Sequence, residues 1–179
     1  MIMVKDVIKV NIFKEWCKKL KVIVSEVDGI VTEDLLHIDE LGNVLFKGFC
    51  KKDFEIINEL KKTFTFVFLS GDNSISYNLC RRKNIPFYYA PGNKKETLIK
   101  IMRRYSVTPE EVLYIGWSTS DLRCVQMIPF SVCPVDAIDD VKTISYCVLN
   151  SFSGTGVLCE VYYLLKPEID IRRIKDYEN

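Results

Sequence analysis

A chain of 179 residues with 48% hydrophobic content is long enough to bury one sizeable core and too short for two comfortable ones, which predicts a single domain over residues 1–179. Its 25 basic and 24 acidic residues leave a net charge of +1, so no global field draws it to nucleic acid or to an anionic membrane surface. The opening, MIMVKDVIKVNIFKEW, interrupts its apolar positions with Lys5, Asp6, Lys9 and Lys14; it offers neither a signal-peptide core nor a membrane span, and a cytoplasmic location is expected.

The first strong element is KVIVSEV (21–27), a β-branched run that reads as a buried strand. LLHIDELGNVLFKGF (35–49) reads as two short strands around a polar, glycine-bearing turn at Asp39 to Asn43. A hairpin there leaves Leu35, Leu36, Val44, Leu45 and Phe46 in need of cover, and because a lone hairpin is marginal in water, oligomerisation is the natural source of it, the alternative being that it folds back on its own domain. Strands at 64–70, 87–90, 111–116, 130–134 and 145–149 then alternate with helical periods at 52–62, 74–84, 94–106 and 118–128. That alternation predicts an α/β domain with a mainly parallel sheet. Ile56, Ile57 and Leu60, and later Leu98, Ile101 and Met102, recur at three and four residues as packed helix faces require. Near the end, two glycines precede an apolar stripe at Val157, Val161 and Leu164 or Leu165; Pro167 reads as a stop, and 167–179 as a charged tail.

Seven cysteines form no CxxC pair and most sit in apolar runs, which predicts reduced core thiols. The single histidine, His37, has no nearby cysteine or histidine with which to build a metal site and reads as a strand residue. Chemistry is expected at the strand ends, where polar residues gather. The first strand ends on Glu26, Asp28 and Thr32, the second on Ser70, Gly71, Asp72 and Asn73, and a PGNKK loop precedes the 94–106 helix. Ser70 with the amides after it, together with Lys94 or Lys95, could hold a phosphate, and the carboxylates could hold a hard cation such as magnesium.

In chain order these stretches resemble the motif series of the haloacid dehalogenase superfamily: D-x-D-G-[IV]-[LVM]-T, a strand ending in S-G, a lysine opening a helix, and EVLYIG followed by acids. More narrowly, VDGIVTED, IDELGNVLFKGF, KKDFEIINELKK, TPEEVLYIG, CPVDAIDDVKTISYCV and SGTGVLCEV resemble the 3-deoxy-D-manno-octulosonate 8-phosphate phosphatases. They are also similar to the related nine-carbon sugar phosphatases and to the phosphatase-like domain of acylneuraminate cytidylyltransferases. The resemblance implies a Rossmannoid three-layer α/β sandwich with a parallel central sheet, a β-hairpin inserted after the first strand and no large cap domain. It also implies a phosphoric monoester hydrolase using Mg2+, assembled as a homotetramer through its hairpins.

Carried over residue by residue, the resemblance places Glu26 at the nucleophile, Asp28 at the proton shuttle and Lys94, with Lys95 as the alternative, at the cation that neutralises the phosphorylated intermediate. Thr32, Ser70 and Gly71 fall at substrate-binding positions, and Glu26, Asp28 and Asp121 are what remains of the metal set. The departures cluster in the same places. Glu26 replaces an aspartate, Asp72 an arginine, Trp117 the metal-ligand aspartate, Ser118 the second acid and Phe54 a glycine; the arginine expected after SGTGV is missing around Leu158 and Cys159. The extra methylene of Glu26 moves the attacking oxygen by about 1 Å, enough to cost roughly a hundredfold in rate. The expectation is a phosphatase-like protein with impaired or absent catalysis. It would act in acidic-sugar metabolism by binding a sugar acid or sugar phosphate, or by scaffolding a partner such as a sugar nucleotidyltransferase. The alternative is an active Mg2+-dependent phosphatase with a rearranged site.

Overall fold

The computed structural model describes residues 4–33, 35–71 and 75–177, with side chains between residues 11 and 175. In chain order the elements are α1 (Val4–Cys17), β1 (Val22–Ser25), β2 (His37–Ile38), β3 (Val44–Phe46), α2 (Lys51–Leu60), β4 (Thr65–Ser70), α3 (Ile75–Arg82), β5 (Phe87–Tyr89), α4 (Lys94–Tyr105), β6 (Val112–Ile115), α5 (Leu122–Met127), β7 (Ser131–Cys133), α6 (Asp139–Ile144), β8 (Cys147–Val148) and α7 (Val157–Tyr177). All six strands expected outside the hairpin are present. They form one parallel sheet in the order β5-β4-β1-β6-β7-β8.

Strand alternation sorts the core into two layers. Ile23, Phe66, Phe68, Leu113 and Ile115 point to one face, where they pack with Ile57 and Leu60 of α2 and Val161, Leu165 and Ile169 of α7. Val22, Val24, Val67, Leu69, Val112 and Tyr114 point to the other, against Leu98 and Ile101 of α4, Val125 of α5 and Val141 of α6. With both faces covered, the central strands read as continuous apolar runs. β1 is flanked by β4 on one side and β6 on the other, so the chain reverses direction across the sheet at β1. The crevice beyond its carboxyl end is the place such sheets offer to a ligand.

Three features differ from expectation or add to it. Helices α1 and α6 occupy stretches for which the sequence predicts none; the lysines along α1 obscure its period, although Trp16 and Cys17 at its end are buried. The 118–128 helix begins later, at Leu122, because Ser118 and Asp121 form a reciprocal capping box around a 3-10 turn at Thr119–Asp121. The predicted stop at Pro167 is corrected, since α7 runs through it to Tyr177. A proline inside a helix loses one backbone bond, but Leu165 and Ile169 are buried on either side of it. Further along, Arg172 donates to the carbonyls of Leu20, Cys17 and Lys18 at 2.9, 2.7 and 3.0 Å. That guanidinium also lies over the Phe64 ring and pairs with Glu168, so the first part of the expected charged tail is a docked helix.

The hairpin forms as predicted, with β2 antiparallel to β3. Asp39 holds its turn, accepting from the Leu41 and Asn43 amides at 2.9 and 2.8 Å. His37 stacks on Phe46, as a strand residue should. Leu35, Leu36, Ile38, Leu41, Leu45 and Phe46 remain between 56% and 81% exposed. Among the described residues no helix is long and apolar enough to cross a membrane.

Candidate active site

The site is built where β1, β4 and β6 end. β1 carries Glu26 just beyond its last residue, still paired to the sheet through its amide and the Ile115 carbonyl. β4 ends on Ser70 and Gly71, α4 opens on Lys94, and the turn after β6 carries Trp117, Ser118 and Ser120. Together with Asp28, Ala90, Pro91 and Gly92 these residues line a cavity of about 240 Å³. A larger apolar groove, about 760 Å³, lies between α1, β8 and α7 and shares no lining residue with it.

Lys94 is the centre of the arrangement. Its ammonium pairs with Glu26 Oε2 and donates to Asp121 Oδ1 at 2.7 Å, while Lys95 is exposed. Glu26 Oε1 accepts from the Val27 amide at 2.8 Å. Asp121 is fully enclosed: Oδ1 also takes the Tyr114 hydroxyl at 2.7 Å, and Oδ2 takes the Trp117 and Ser118 amides at 3.0 Å and the Ser118 hydroxyl at 3.1 Å. Burial alone would raise the Asp121 carboxyl, but Lys94 and these donors outweigh it and hold its pKa below the usual value. Burial, then the Asp121 charge, push the Tyr114 phenol well above its usual range.

Asp28 stands apart from this set. Both its oxygens accept from Lys47 Nζ, at 3.0 and 2.9 Å, and the Lys47 side chain is only 3% exposed. Thr32 does not line the cavity; its hydroxyl accepts from the Gly29 amide and donates to Asp28, both at 3.3 Å, bracing the turn. Gly29 has φ +72°, and a Cβ there would lie 2.2 Å from the Trp117 ring. The turn therefore needs glycine twice over, for its backbone and for the indole packed on it. Asp72 lies outside the described residues.

The structure thus brings Glu26, Asp28, Ser70, Gly71, Lys94 and Trp117 to one cavity, with Asp121 behind Lys94. Sequence reasoning missed Lys47 and Tyr114, the partners of its two aspartates. The signals were slight: a lysine closing the apolar VLF run, and a hydroxyl on the inward-facing member of EVLYIG. The nominated metal ligands do not fit a hard cation as they stand. Such an ion needs about six oxygen ligands, yet Asp121 already accepts five hydrogen bonds, each Glu26 oxygen accepts one, from the Val27 amide or from Lys94, and both oxygens of Asp28 are paired with Lys47. Among the described residues no group of three acidic, cysteine or histidine side chains is gathered to hold a metal.

No family model matches the chain. It is 26% identical over 146 residues to the 3-deoxy-D-manno-octulosonate 8-phosphate phosphatase of Haemophilus influenzae, a match covering 80% of this chain and 81% of the relative. It is 27% identical over 159 residues to the phosphoglycolate phosphatase of Nitrosopumilus maritimus, covering 77% of this chain and 68% of that protein. The solved cobalt-bound structure of the Haemophilus influenzae octulosonate phosphatase superposes with a TM-score of 0.78 at 26% identity, over 84% of this chain and 90% of that one. The chain is a homologue of haloacid dehalogenase-superfamily phosphatases. Its parallel sheet with helices on both faces is the Rossmannoid fold of that superfamily. The two relatives are phosphatases with different substrates, so the superfamily does not by itself hand this chain a substrate.

Proposed function

We propose that this protein is a catalytically impaired or inactive phosphatase-fold protein of acidic-sugar metabolism, working as a binding or scaffold protein rather than by turnover. One observation carries the reading: the Trp117 indole is packed on Gly29 and lines a cavity whose carboxylates all accept from lysines or amides. An aspartyl-phosphate mechanism needs a carboxylate oxygen free to attack phosphorus and cations to receive the phosphate charge. Here both oxygens of Glu26 are hydrogen-bonded, and the described pocket groups, Glu26, Asp28 and Asp121 against Lys94 and Lys47, sum to −1. A phosphate dianion gains no net attraction from such a site, so a bound sugar acid or sugar phosphate is held through the rest of the molecule. The ligand class that suits the reading is a sugar acid or sugar phosphate, the partner class a sugar nucleotidyltransferase, and the setting the cytoplasm. The exposed hairpin apolars support assembly, as a homotetramer, through that surface.

A second reading keeps the protein an active Mg2+-dependent phosphatase on octulosonate 8-phosphate or a sialic-acid-type sugar phosphate. The contact of Lys94 with Glu26, beside Asp28, favours it, because that is the grouping a phosphoryl-transfer site needs. A panel of phosphorylated eight- and nine-carbon sugar acids with phosphoglycolate, assayed with Mg2+, separates the two. The impaired site predicts rates no higher than those of Asp28→Asn. A Mg2+-dependent rate abolished by that substitution would establish the second reading instead. Turnover gained by Glu26→Asp with Trp117→Asp would identify these two replacements as the lesions.

A further inference from the structure

The cavity contains a cation of its own. We infer that the Lys94 ammonium, held between Glu26 and Asp121, takes the place of a divalent ion, so that this pocket is closed to Mg2+ and takes its ligand without one. The inference deepens the impaired-site reading and rests on it for the location of the pocket.

Lys94 is 4% exposed and touches both acids, each itself buried. An entering Mg2+ would have to displace the ammonium from at least one of them or share the space with it. Displacement leaves a buried ammonium without its partner, and sharing sets like charges at contact in a poorly solvated site. Asp121 accepts five hydrogen bonds in all, from Lys94, Tyr114, the Trp117 amide and two groups of Ser118. Its lone pairs are therefore already used. The third carboxylate offers no way around this, because Lys47 grips both oxygens of Asp28. The Trp117 ring, which also lines the cavity, supplies no oxygen, and the other described lining groups are neutral. With no added cation and a described lining that sums to −1, inorganic phosphate alone gains no net attraction, and a ligand is held through hydroxyl and amide contacts.

Calorimetry and thermal unfolding of the full chain test this directly. MgCl2 or MnCl2 at millimolar concentration is expected to give no binding heat and no shift in Tm, and inorganic phosphate none with or without the metal. Lys94→Met leaves Glu26 and Asp121 facing each other without their cation, and is expected to gain Mn2+ affinity by about tenfold or more together with a metal-dependent rise in Tm. That gain should vanish when Glu26→Gln is added. One Mg2+ bound to the wild-type chain, and lost in Glu26→Gln, would overturn the inference; so would a folded Lys94→Met protein that gains nothing. If Lys94→Met does not fold, the wild-type titration decides alone. Mg2+ binding without turnover would sink this inference and leave the impaired-site reading intact, whereas phosphatase turnover without any divalent cation would do the reverse.

Discussion

In the strand-end pocket three carboxylates and two ammoniums sit in paired contacts with little of their surface in water, whereas a short way along the chain the β2–β3 hairpin leaves six large apolar side chains more than half exposed. The two regions meet at Lys47, which follows β3 directly and reaches back to Asp28. The contrast follows from what each kind of surface costs. A buried charge without a partner costs several kcal/mol, so it must be matched within the fold. Exposed apolar surface costs only about 25 cal/mol per Å² and can wait for a partner. Among the described residues the pocket charges are paired within one chain, whereas the hairpin apolars are left uncovered by it.

Unmatching the pocket should have the largest effect. Lys94→Met should destabilise the chain by about 3–5 kcal/mol, the usual result of orphaning buried charges, which lowers Tm by on the order of 10 °C for a chain of this size. Lys47→Met should cost less, because Asp28 is 20% exposed and can be partly hydrated. Urea unfolding of the two variants would measure the order. A Lys94→Met loss below about 1 kcal/mol would mean that the pair behaves as a solvated surface bridge and the pocket is not self-contained.

The hairpin supplies the next largest effect, on mass rather than stability. If a second copy covers it, light scattering should give several times the 20.8 kDa chain mass, and Leu41→Ser with Phe46→Ser should return the chain to that mass. Because both side chains are exposed in the single chain, its unfolding midpoint as a monomer should hardly move, by roughly 0.5 kcal/mol or less. A wild-type mass near that of one chain would remove the argument from exposed apolar surface to assembly.

Most of the frame was legible in the sequence because its signals are local. The six sheet strands show as β-branched and aromatic runs, and the hairpin by the Asp39 turn and Gly42. Glu26, Asp28, Ser70 and Gly71 could be nominated because a strand end is itself a sequence feature. Lys94 could be nominated too, from its place at the opening of a helix, but the contacts that decide what these residues do were not legible. Lys47 reaches Asp28 across 19 positions, and Lys94 reaches Glu26 across 68; nothing in the local pattern reports such contacts. Pro167 misled for a related reason: its helix-breaking tendency is local, while the packing of Ile169 and the Arg172 contacts with the end of α1 are tertiary.

The smallest expected effect sets two buried aspartates against each other. Asp121 has every lone pair engaged and its pKa depressed, mainly by Lys94 acting against burial. Asp53, buried at the start of α2, accepts from the Cys159 amide at 3.1 Å, but its Oδ2 has no hydrogen-bond partner among the described residues. Burial therefore raises its pKa against the lowering effects of Cys159 and Cys50. The two contributions run in opposite senses with pH. That of Asp121 is fully present above the ordinary carboxyl pKa of 3.8 and is lost as pH falls through the depressed folded value. That of Asp53 is fully present below 3.8 and is lost as pH rises through the raised folded value. Asp53→Asn should thus improve relative to wild type as the pH is raised from below 3.8 toward neutrality, by no more than about 1.5 kcal/mol. Asp121→Asn should worsen relative to wild type over its own window, as the pH climbs from below the depressed value to above 3.8. Paired urea titrations across that range measure both slopes. Slopes of the same sign would mean that the Asp53 carboxylate finds a partner in solution that its surroundings here do not provide.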